Sequence, residues 1–413
     1  MKLLNPFKQY LLTLLFILTF AAPSFSFSIL AHEAIIDAEW LGHIRPLLLK
    51  KYPGSTDAEL DKAHAFAYGG SLVADMGYMP SGCPYFTNLL HYVRSGDMVM
   101  ALINESQNVN EYAFALGAMS HYMADKYGHA LATNVSVPIV YPQLEKKFGR
   151  VVTYDNDHSS HSSIEFAYDI IQTYKGNYAS TAYHNFTGFE MATPVLERAF
   201  LKIYGHSLYS VFPNFQKAIN NFRWGVREFF PELARTAWQT DPEGTQLSID
   251  SINQKTFTSR MPKNAFDKQF GKDYDRTGLL ARGVVAVINA LPKIGPLKKL
   301  NFKYPGITAE ELYMRSMDSI MVNYNIALQH AAENTLALEN IDFDTGNRTE
   351  LHEYGLADKS YADWILKLQE DHFAHITPAV QKDILAFYSQ PNLNIPDNKA
   401  REALLILSMI APK

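Results

Sequence analysis

Three side chains able to bind a metal recur at four-residue intervals in the segment His121-Tyr-Met-Ala-Asp125-Lys-Tyr-Gly-His129. Steps of four and eight residues, at about 100° per residue, place them within roughly an 80° arc of one helix face. Two imidazoles and a carboxylate are ligands that suit divalent zinc. The spacing therefore predicts a metal site on this helix.

Five further candidates surround this segment. His161 and Glu165 repeat the four-residue step on the next predicted helix, and His32, Asp75 and His91 lie nearer the N-terminus. Burying such groups without a partner is costly, so a shared metal would explain why apolar helices tolerate them. For any one histidine alone, an ordinary core or surface role stays open. The spaced set favours a metal centre.

The order, spacing and surroundings of these residues resemble the zinc-dependent phospholipase C family, which is related to single-strand-specific nucleases of the S1/P1 type. The segments that carry the resemblance are Phe27–His32, Gly70–Asp75, Leu90–Tyr92, Leu116–His129 and His161–Glu165. They lie between Phe27 and Ile171, roughly a third of the chain. The resemblance implies a zinc-dependent hydrolase of phosphodiesters.

The resemblance also implies a ligand set for about three zinc ions. The first ion would be held by Asp75, His91, His121 and Asp125, the second by His32, the bridging Asp125 and the amine and carbonyl of a mature N-terminal Phe27, and the third by His129, His161 and Glu165. The family usually begins its mature chain with tryptophan, but backbone atoms of that residue are the ligands. A phenylalanine therefore need not abolish the site.

The same resemblance implies a second role for Asp75, which is to orient or deprotonate the attacking water. A role as a simple metal ligand stays open and is compatible with it. The gap between Asp125 and His129 is shorter than in the bacterial phosphatidylcholine-cleaving enzymes and the nucleases. This short spacing resembles that of the glycosylphosphatidylinositol-specific phospholipase D branch of the same superfamily. It therefore favours a lipid substrate.

The first residues, Met1 to Ser26, have the pattern of an export signal. Two lysines precede an apolar run from Tyr10 to Ala22, and small residues follow at Ser24 and Ser26. The run is shorter than the ~20 residues that a spanning helix needs. We therefore expect a signal peptide, a mature chain beginning at Phe27 and a periplasmic or secreted protein; an uncleaved anchor is the alternative.

The composition of the 413-residue chain limits the class of protein. Hydrophobic residues make up 47%, enough for a sizeable core, and the net charge of -5 disfavours a duplex nucleic-acid partner. The single cysteine, Cys83, excludes an internal disulfide. Bound metal is a natural source of stability for an exported protein of this kind.

Hydrophobic residues recur with helical spacing along most of the chain, and no alternating strand pattern is evident. The sequence predicts an all-α helical bundle with a metal cluster in its core. The expected division is a signal peptide at 1–26, a catalytic core at 27–174 and a helical C-terminal region at 175–413 that packs on it. The glycine-containing segment Tyr68–Pro80 is expected to be a tight loop or short helix.

Two other motifs are interpreted as structural. Asp342–Asn347 resembles part of a calcium loop, but its glycine comes one position too early, which favours an ordinary Asx turn. His372 and His375 could form a metal pair, but a solvated surface is the preferred interpretation.

These expectations combine into one leading function, an exported zinc-dependent phosphodiesterase that hydrolyses phospholipids through metal-activated water. Its partners would be a phospholipid or other phosphodiester and a peripheral membrane surface, and no protein partner is evident. The alternatives are a single-strand-specific nuclease or nucleotidase of the S1/P1 type, in which stacked aromatics position a base, and a noncatalytic metal-stabilised binding protein.

Overall fold

Helices dominate the protein, as the sequence predicts. The computed structural model describes residues 29–178, 189–237, 278–290, 302–389 and 398–410. Its α-helices are α1 Ile29–Glu39, α2 Arg45–Lys51, α3 Asp57–Leu72, α4 Pro84–Tyr92, α5 Ser95–Glu105, α6 Val109–Gly128, α7 Asn134–Val140, α8 Pro142–Phe148, α9 His158–Tyr174, α10 Thr193–Tyr204, α11 Leu208–Val211, α12 Phe215–Trp224, α13 Phe230–Ala237, α14 Leu279–Ala290, α15 Ile307–Glu333, α16 Gly355–Glu370, α17 Pro378–Phe387 and α18 Asn398–Met409.

Irregular helical turns connect several of these elements. Trp40–Ile44, His129–Thr133 and Gly225–Phe229 are π-helical turns, and Val73–Tyr78 is a 3-10 helix. Within the described ranges, β pairing is limited to an isolated antiparallel bridge between Ile341 and Arg348. The all-α fold class is therefore confirmed.

Side-chain caps fix where the site-bearing helices begin. Asn108 Oδ1 accepts from the Glu111 amide at 3.0 Å at the start of α6. Asp157 Oδ1 accepts from the Ser160 amide at 2.8 Å at the start of α9. Each cap satisfies a backbone donor that a helix start leaves without an internal partner.

Helices α3 and α6 approach so closely that glycines are required between them. A Cβ on Gly70 would lie 1.8 Å from the Phe114 carbonyl oxygen, and one on Gly117 would lie 2.0 Å from that of Ala67. Gly69 and Gly70, the first glycines of the segment predicted as a tight loop or short helix, lie within α3, which continues to Leu72. The 3-10 helix that follows is the short helix of the prediction, and it carries Asp75.

One contiguous set of buried apolar side chains joins the N-terminal and C-terminal helices. Tyr324 of α15 is buried and donates its hydroxyl to the Leu116 carbonyl of α6 at 2.9 Å. Helix α6 therefore lies between α3 and α15 in the interior of the bundle. Among the helices that the structure describes, none combines the length and apolar character needed to span a bilayer.

Candidate metal centre

Eight of the nine predicted ligand residues converge in the interior, although they come from four α-helices and two irregular helical turns. His32 lies in α1, Asp75 in the 3-10 helix, His91 in α4, His121 and Asp125 in α6, His129 in the following π turn, and His161 and Glu165 in α9. Each is no more than 2% exposed. Phe27, the ninth, lies outside the described residues.

The carboxylate of Asp125 is the centre of the first group. His121 Nε2 lies 3.1 Å from its Oδ2, His91 Nε2 lies 3.6 Å from the same oxygen, and His32 Nε2 lies 3.5 Å from Oδ1. Asp75 joins this group because its Oδ1 lies 3.4 Å from His91 Nε2. The donors form two overlapping triads, one of His32, His121 and Asp125 and one of Asp75, His91 and His121, with donor atoms within 4.8 Å of one another.

Glu165 is the centre of the second group. Its Oε1 lies 3.1 Å from His129 Nε2 and 3.1 Å from His161 Nδ1. The π turn that begins at His129 places this imidazole toward α9, one helical turn beyond Asp125. π turns inside helices are often found at functional sites.

Backbone carbonyls hold the outer nitrogens of three imidazoles. His91 Nδ1 lies 2.9 Å from the Thr87 oxygen, and His121 Nδ1 lies 2.8 Å from the Ser71 oxygen. His129 Nδ1 lies 2.8 Å from the Phe343 oxygen. A carbonyl can only accept, so each Nδ1 carries the hydrogen and the neutral ring presents a lone pair at Nε2. Metal-binding histidines are commonly oriented in this way.

Those inward lone pairs face carboxylate oxygens, an arrangement that needs a cation between them. Without metal, protons on the imidazoles supply this positive charge. Burial is the largest single influence and lowers the pKa of His121, but the charge and hydrogen bond of Asp125, with smaller contributions from Asp75 and the Ser71 carbonyl, together raise this pKa to about 9. Burial also opposes protonation of His129, and Asp125 with Glu165 raises its pKa to about 10.

The carboxylates show the same need for positive charge. Burial by itself would raise the pKa of Asp125, but the neighbouring imidazoles, His121 foremost, hold it well below its usual range. Both oxygens of Asp75 are buried and accept no hydrogen bond in the part of the chain that the structure describes. Imidazole nitrogens and carboxylate oxygens arranged like this fit divalent zinc.

A buried polar layer behind the centre was not anticipated from the sequence. Glu33 and Asp37 of α1 lie beside Asp169 of α9. Burial, followed by the negative charges of Asp37 and Asp169, raises the pKa of Glu33 well above its usual value. Asp169 Oδ2 accepts from the Leu30 amide at 3.1 Å, which ties the first turn of α1 to the helix of His161. The four-residue step from Glu33 to Asp37 in an apolar helix was the available signal.

The two motifs interpreted as structural have the expected environments. Asp342 Oδ1 accepts from the Thr345 amide at 2.7 Å, which is the Asx turn of the prediction. His372 and His375 are both exposed. The sequence analysis missed, however, that the Asx turn lies against His91 and His129. The hydrogen bonds from this turn to His91 and His129 use backbone atoms of Phe343, for which side-chain identity gives no signal.

Comparison with known proteins gives one match. Residues 32–214 match the family model described as zinc dependent phospholipase C. No curated protein and no solved structure matches the chain at a significant level. The family resemblance predicted from the motifs is therefore confirmed, and the match continues beyond Ile171 into the helices that follow α9.

Proposed function

We propose, from the membership of residues 32–214 in the zinc-dependent phospholipase C family, that this protein is an exported zinc-dependent phosphodiesterase that hydrolyses phospholipids. The observation that carries the proposal is the burial of five imidazoles and three carboxylates in one centre whose inward faces require cations. The family supports zinc as the metal and a phospholipid as the substrate. Export and the number of ions are parts of the proposal.

The geometry supports a division of the ligands between metal positions. Asp75, His91, His121 and Asp125 would hold one ion, because their donor atoms lie together. His129, His161 and Glu165 would hold another, with Glu165 between the two rings. A third position would use His32 and Asp125. It would be completed by backbone atoms of Phe27, which lies outside the described residues.

Zinc ions held by these residues would supply a water that is nucleophilic near neutral pH and positive charge opposite the phosphoryl group. The protein's own part is to hold the ligands without solvent and to orient them. The carbonyls of Ser71 and Thr87 fix the rings of His121 and His91. Asp75 could bind the ion through one oxygen and accept a hydrogen bond from the attacking water with the other, because neither oxygen accepts a hydrogen bond from the described residues.

The test is an assay of the purified, zinc-loaded protein on phosphatidylcholine, phosphatidylinositol and single-stranded DNA. We expect hydrolysis of a phospholipid that stops when a chelator removes the metal and resumes when zinc is restored. Cleavage of DNA alone would replace the lipid assignment with the nuclease alternative. Inactivity on all three substrates by a protein that retains zinc would favour the binding alternative.

Export is tested separately by N-terminal sequencing of the protein recovered outside the cytoplasm. We expect the mature chain to begin at Phe27, so that its amine is free to bind metal. A chain that retains Met1 and the apolar run would contradict the export proposal. A different cleavage point would remove the Phe27 ligand only.

A further inference from the structure

The segment Leu338–Glu350, which we call the C-terminal hairpin, lies outside the family match and folds back onto the metal centre. Its arms are joined by the bridge between Ile341 and Arg348 and by the Thr349 amide, which donates to the Asn340 carbonyl at 3.0 Å. At its turn, the Phe343 amide donates to the His91 carbonyl at 3.1 Å. The hairpin therefore contacts the backbone of a predicted ligand.

The first link from the hairpin to a ligand side chain is direct. His129 Nδ1 donates to the Phe343 carbonyl at 2.8 Å, across 214 residues of sequence. Because the carbonyl fixes the hydrogen on Nδ1, Nε2 is left to face Glu165 as a lone-pair donor. The hairpin thus orients one of the two imidazoles on Glu165.

The second link passes through Asn134. Asn134 Nδ2 donates to the Asp344 carbonyl at 2.6 Å, and its Oδ1 lies 2.9 Å from His161 Nε2. The Asp344 carbonyl can only accept, so the NH2 group of Asn134 must face it and the amide oxygen must face the histidine. His161 Nε2 therefore carries the hydrogen, and Nδ1 is the nitrogen presented to Glu165. His161 and His129 consequently bind through different ring nitrogens.

The carboxylate of Asp344 anchors this turn. Its Oδ2 accepts from the Tyr92 hydroxyl at 2.9 Å and from the Tyr354 hydroxyl at 2.5 Å. Its Oδ1 lies 3.6 Å from His129 Nδ1, so its charge also favours the hydrogen on that nitrogen. The side chain is only 4% exposed, so water screens these contacts little.

We propose that the C-terminal hairpin is a positioning element of the metal centre and that Asp344 is its principal positioning residue. By fixing the Phe343 and Asp344 carbonyls, Asp344 keeps Nε2 of His129 and Nδ1 of His161 directed at Glu165. The hairpin thereby sets the affinity of the ion held by these three ligands. This inference rests on the proposed function, because it concerns one of its metal positions.

The test compares Asp344→Asn with Asp342→Asn in the full chain. Both variants exchange a carboxyl group for an amide in the same turn. Only Asp344→Asn can place an NH2 group opposite the His129 Nδ1–H, whereas the amide oxygen introduced by Asp342→Asn can still accept from the Thr345 amide. Loss of an outer partner of a metal-binding histidine typically weakens binding by about 10- to 100-fold. We expect that loss for Asp344→Asn and unchanged binding for Asp342→Asn.

The measurement is zinc retained per chain after dialysis against a graded series of chelator concentrations, followed by elemental analysis. In Asp344→Asn, about one ion per chain should be lost at chelator concentrations that the wild type and Asp342→Asn withstand. Zinc retention equal to that of Asp342→Asn in a folded Asp344→Asn protein would overturn the inference.

A milder pair of variants keeps the inference testable if Asp344→Asn does not fold. Tyr92→Phe and Tyr354→Phe each remove one hydroxyl from Asp344 and keep the packed ring. Each single variant should lower zinc retention, and the double variant Tyr92→Phe/Tyr354→Phe should lower it further. An unchanged double variant would also overturn the inference. If the wild type itself retains no zinc, the proposed function fails. If the wild type retains zinc and the variants retain it equally well, only the inference fails.

Discussion

Neither oxygen of the buried Asp75 carboxylate accepts a hydrogen bond among the described residues. A buried carboxylate in that state is available both to a metal and to a water molecule. The two roles predict different behaviour of an amide in its place. An amide oxygen can still bind a metal weakly, but it cannot take a proton.

Asp75→Asn is therefore expected to lower the rate of phospholipid hydrolysis at least about 100-fold in protein that has been reloaded with zinc. Rate and bound zinc should be measured on the same samples, since loss of metal alone would also lower the rate. A variant that retains its zinc and hydrolyses at the wild-type rate would exclude the proton-accepting role.

His206 offers a pH test that is remote from the metal ligands. Burial lowers its pKa from 6.5 to about 4, although Asp371, 3.5 Å away, opposes the change. Between these two values the unfolded chain binds a proton that the folded chain does not, so acid favours unfolding. The stability associated with neutral His206 is complete above pH 6.5 and declines as the pH falls toward 4.

We expect the free energy of unfolding to fall by about 2 kcal/mol more between pH 7.5 and pH 5 in the wild type than in His206→Gln. Urea titrations at the two pH values, with chelator present throughout, would measure this difference without a contribution from metal release. Equal pH dependence in the two proteins would show that His206 is not buried in its neutral form.

The contact between α3 and α6 positions ligands on both helices. Gly70 and Gly117 let the helices approach, and the Ser71 carbonyl at the end of α3 then reaches His121. Asp75 follows three residues after the end of α3. Separation of these helices would therefore disturb the Asp75 and His121 ligands together.

Gly70→Ala should destabilise the protein by about 1 to 3 kcal/mol, because the added Cβ meets a backbone carbonyl that cannot rotate away. Gly283→Ala is the matched control, since Gly283 is also helical and a Cβ there meets nothing within 4 Å. The control should leave stability unchanged or raise it by up to about 1 kcal/mol. Urea denaturation of both variants measures the contrast, and similar effects at both sites would refute a tight crossing.

Single-helix geometry made part of the site predictable and left another part hidden. The spacing of His121, Asp125 and His129 could be interpreted directly, because residues four apart share a helix face. Gly69 and Gly70 were predicted to begin a tight loop or short helix, whereas they lie in α3, because glycine serves both turns and close helix contacts. Sequence alone does not distinguish these two uses.

Contacts between distant segments were the least predictable. Nothing in the sequence links Asn134 to Asp344, because the link uses a backbone carbonyl and a separation of 210 residues. The all-α class could still be predicted, since it depends on local periodicity repeated along the chain. The partners that orient the ligands depend on how the helices are arranged, which periodicity does not specify.

At the scale of the whole molecule, metal is expected to contribute to stability directly, because the centre joins helices from α1 to α9. A ligand that binds only the folded state stabilises it by about 4 kcal/mol when its free concentration is about 1,000 times Kd. With Cys83 as its one cysteine, the chain has no internal disulfide that could stabilise the fold when the metal is removed.

A chelator should therefore lower the melting temperature by several degrees, and added zinc should restore it. A reducing agent that does not bind metal should leave it unchanged. Scanning calorimetry on zinc-loaded, chelated and reduced samples makes the comparison. A melting temperature insensitive to the chelator, in a sample that elemental analysis shows to have lost its zinc, would contradict a stabilising centre.

The contact between His129 and the Phe343 carbonyl has a consequence for the order in which the protein matures. A growing chain carries all eight described ligands once Glu165 has emerged, yet the partner of His129 is translated 214 residues after that histidine. Because this contact joins segments so far apart in sequence, the zinc position proposed for His129, His161 and Glu165 should acquire its full affinity only after the C-terminal hairpin has docked on the bundle. Partial translation products would then be unable to retain a full complement of metal, which would delay hydrolytic activity until the chain is finished.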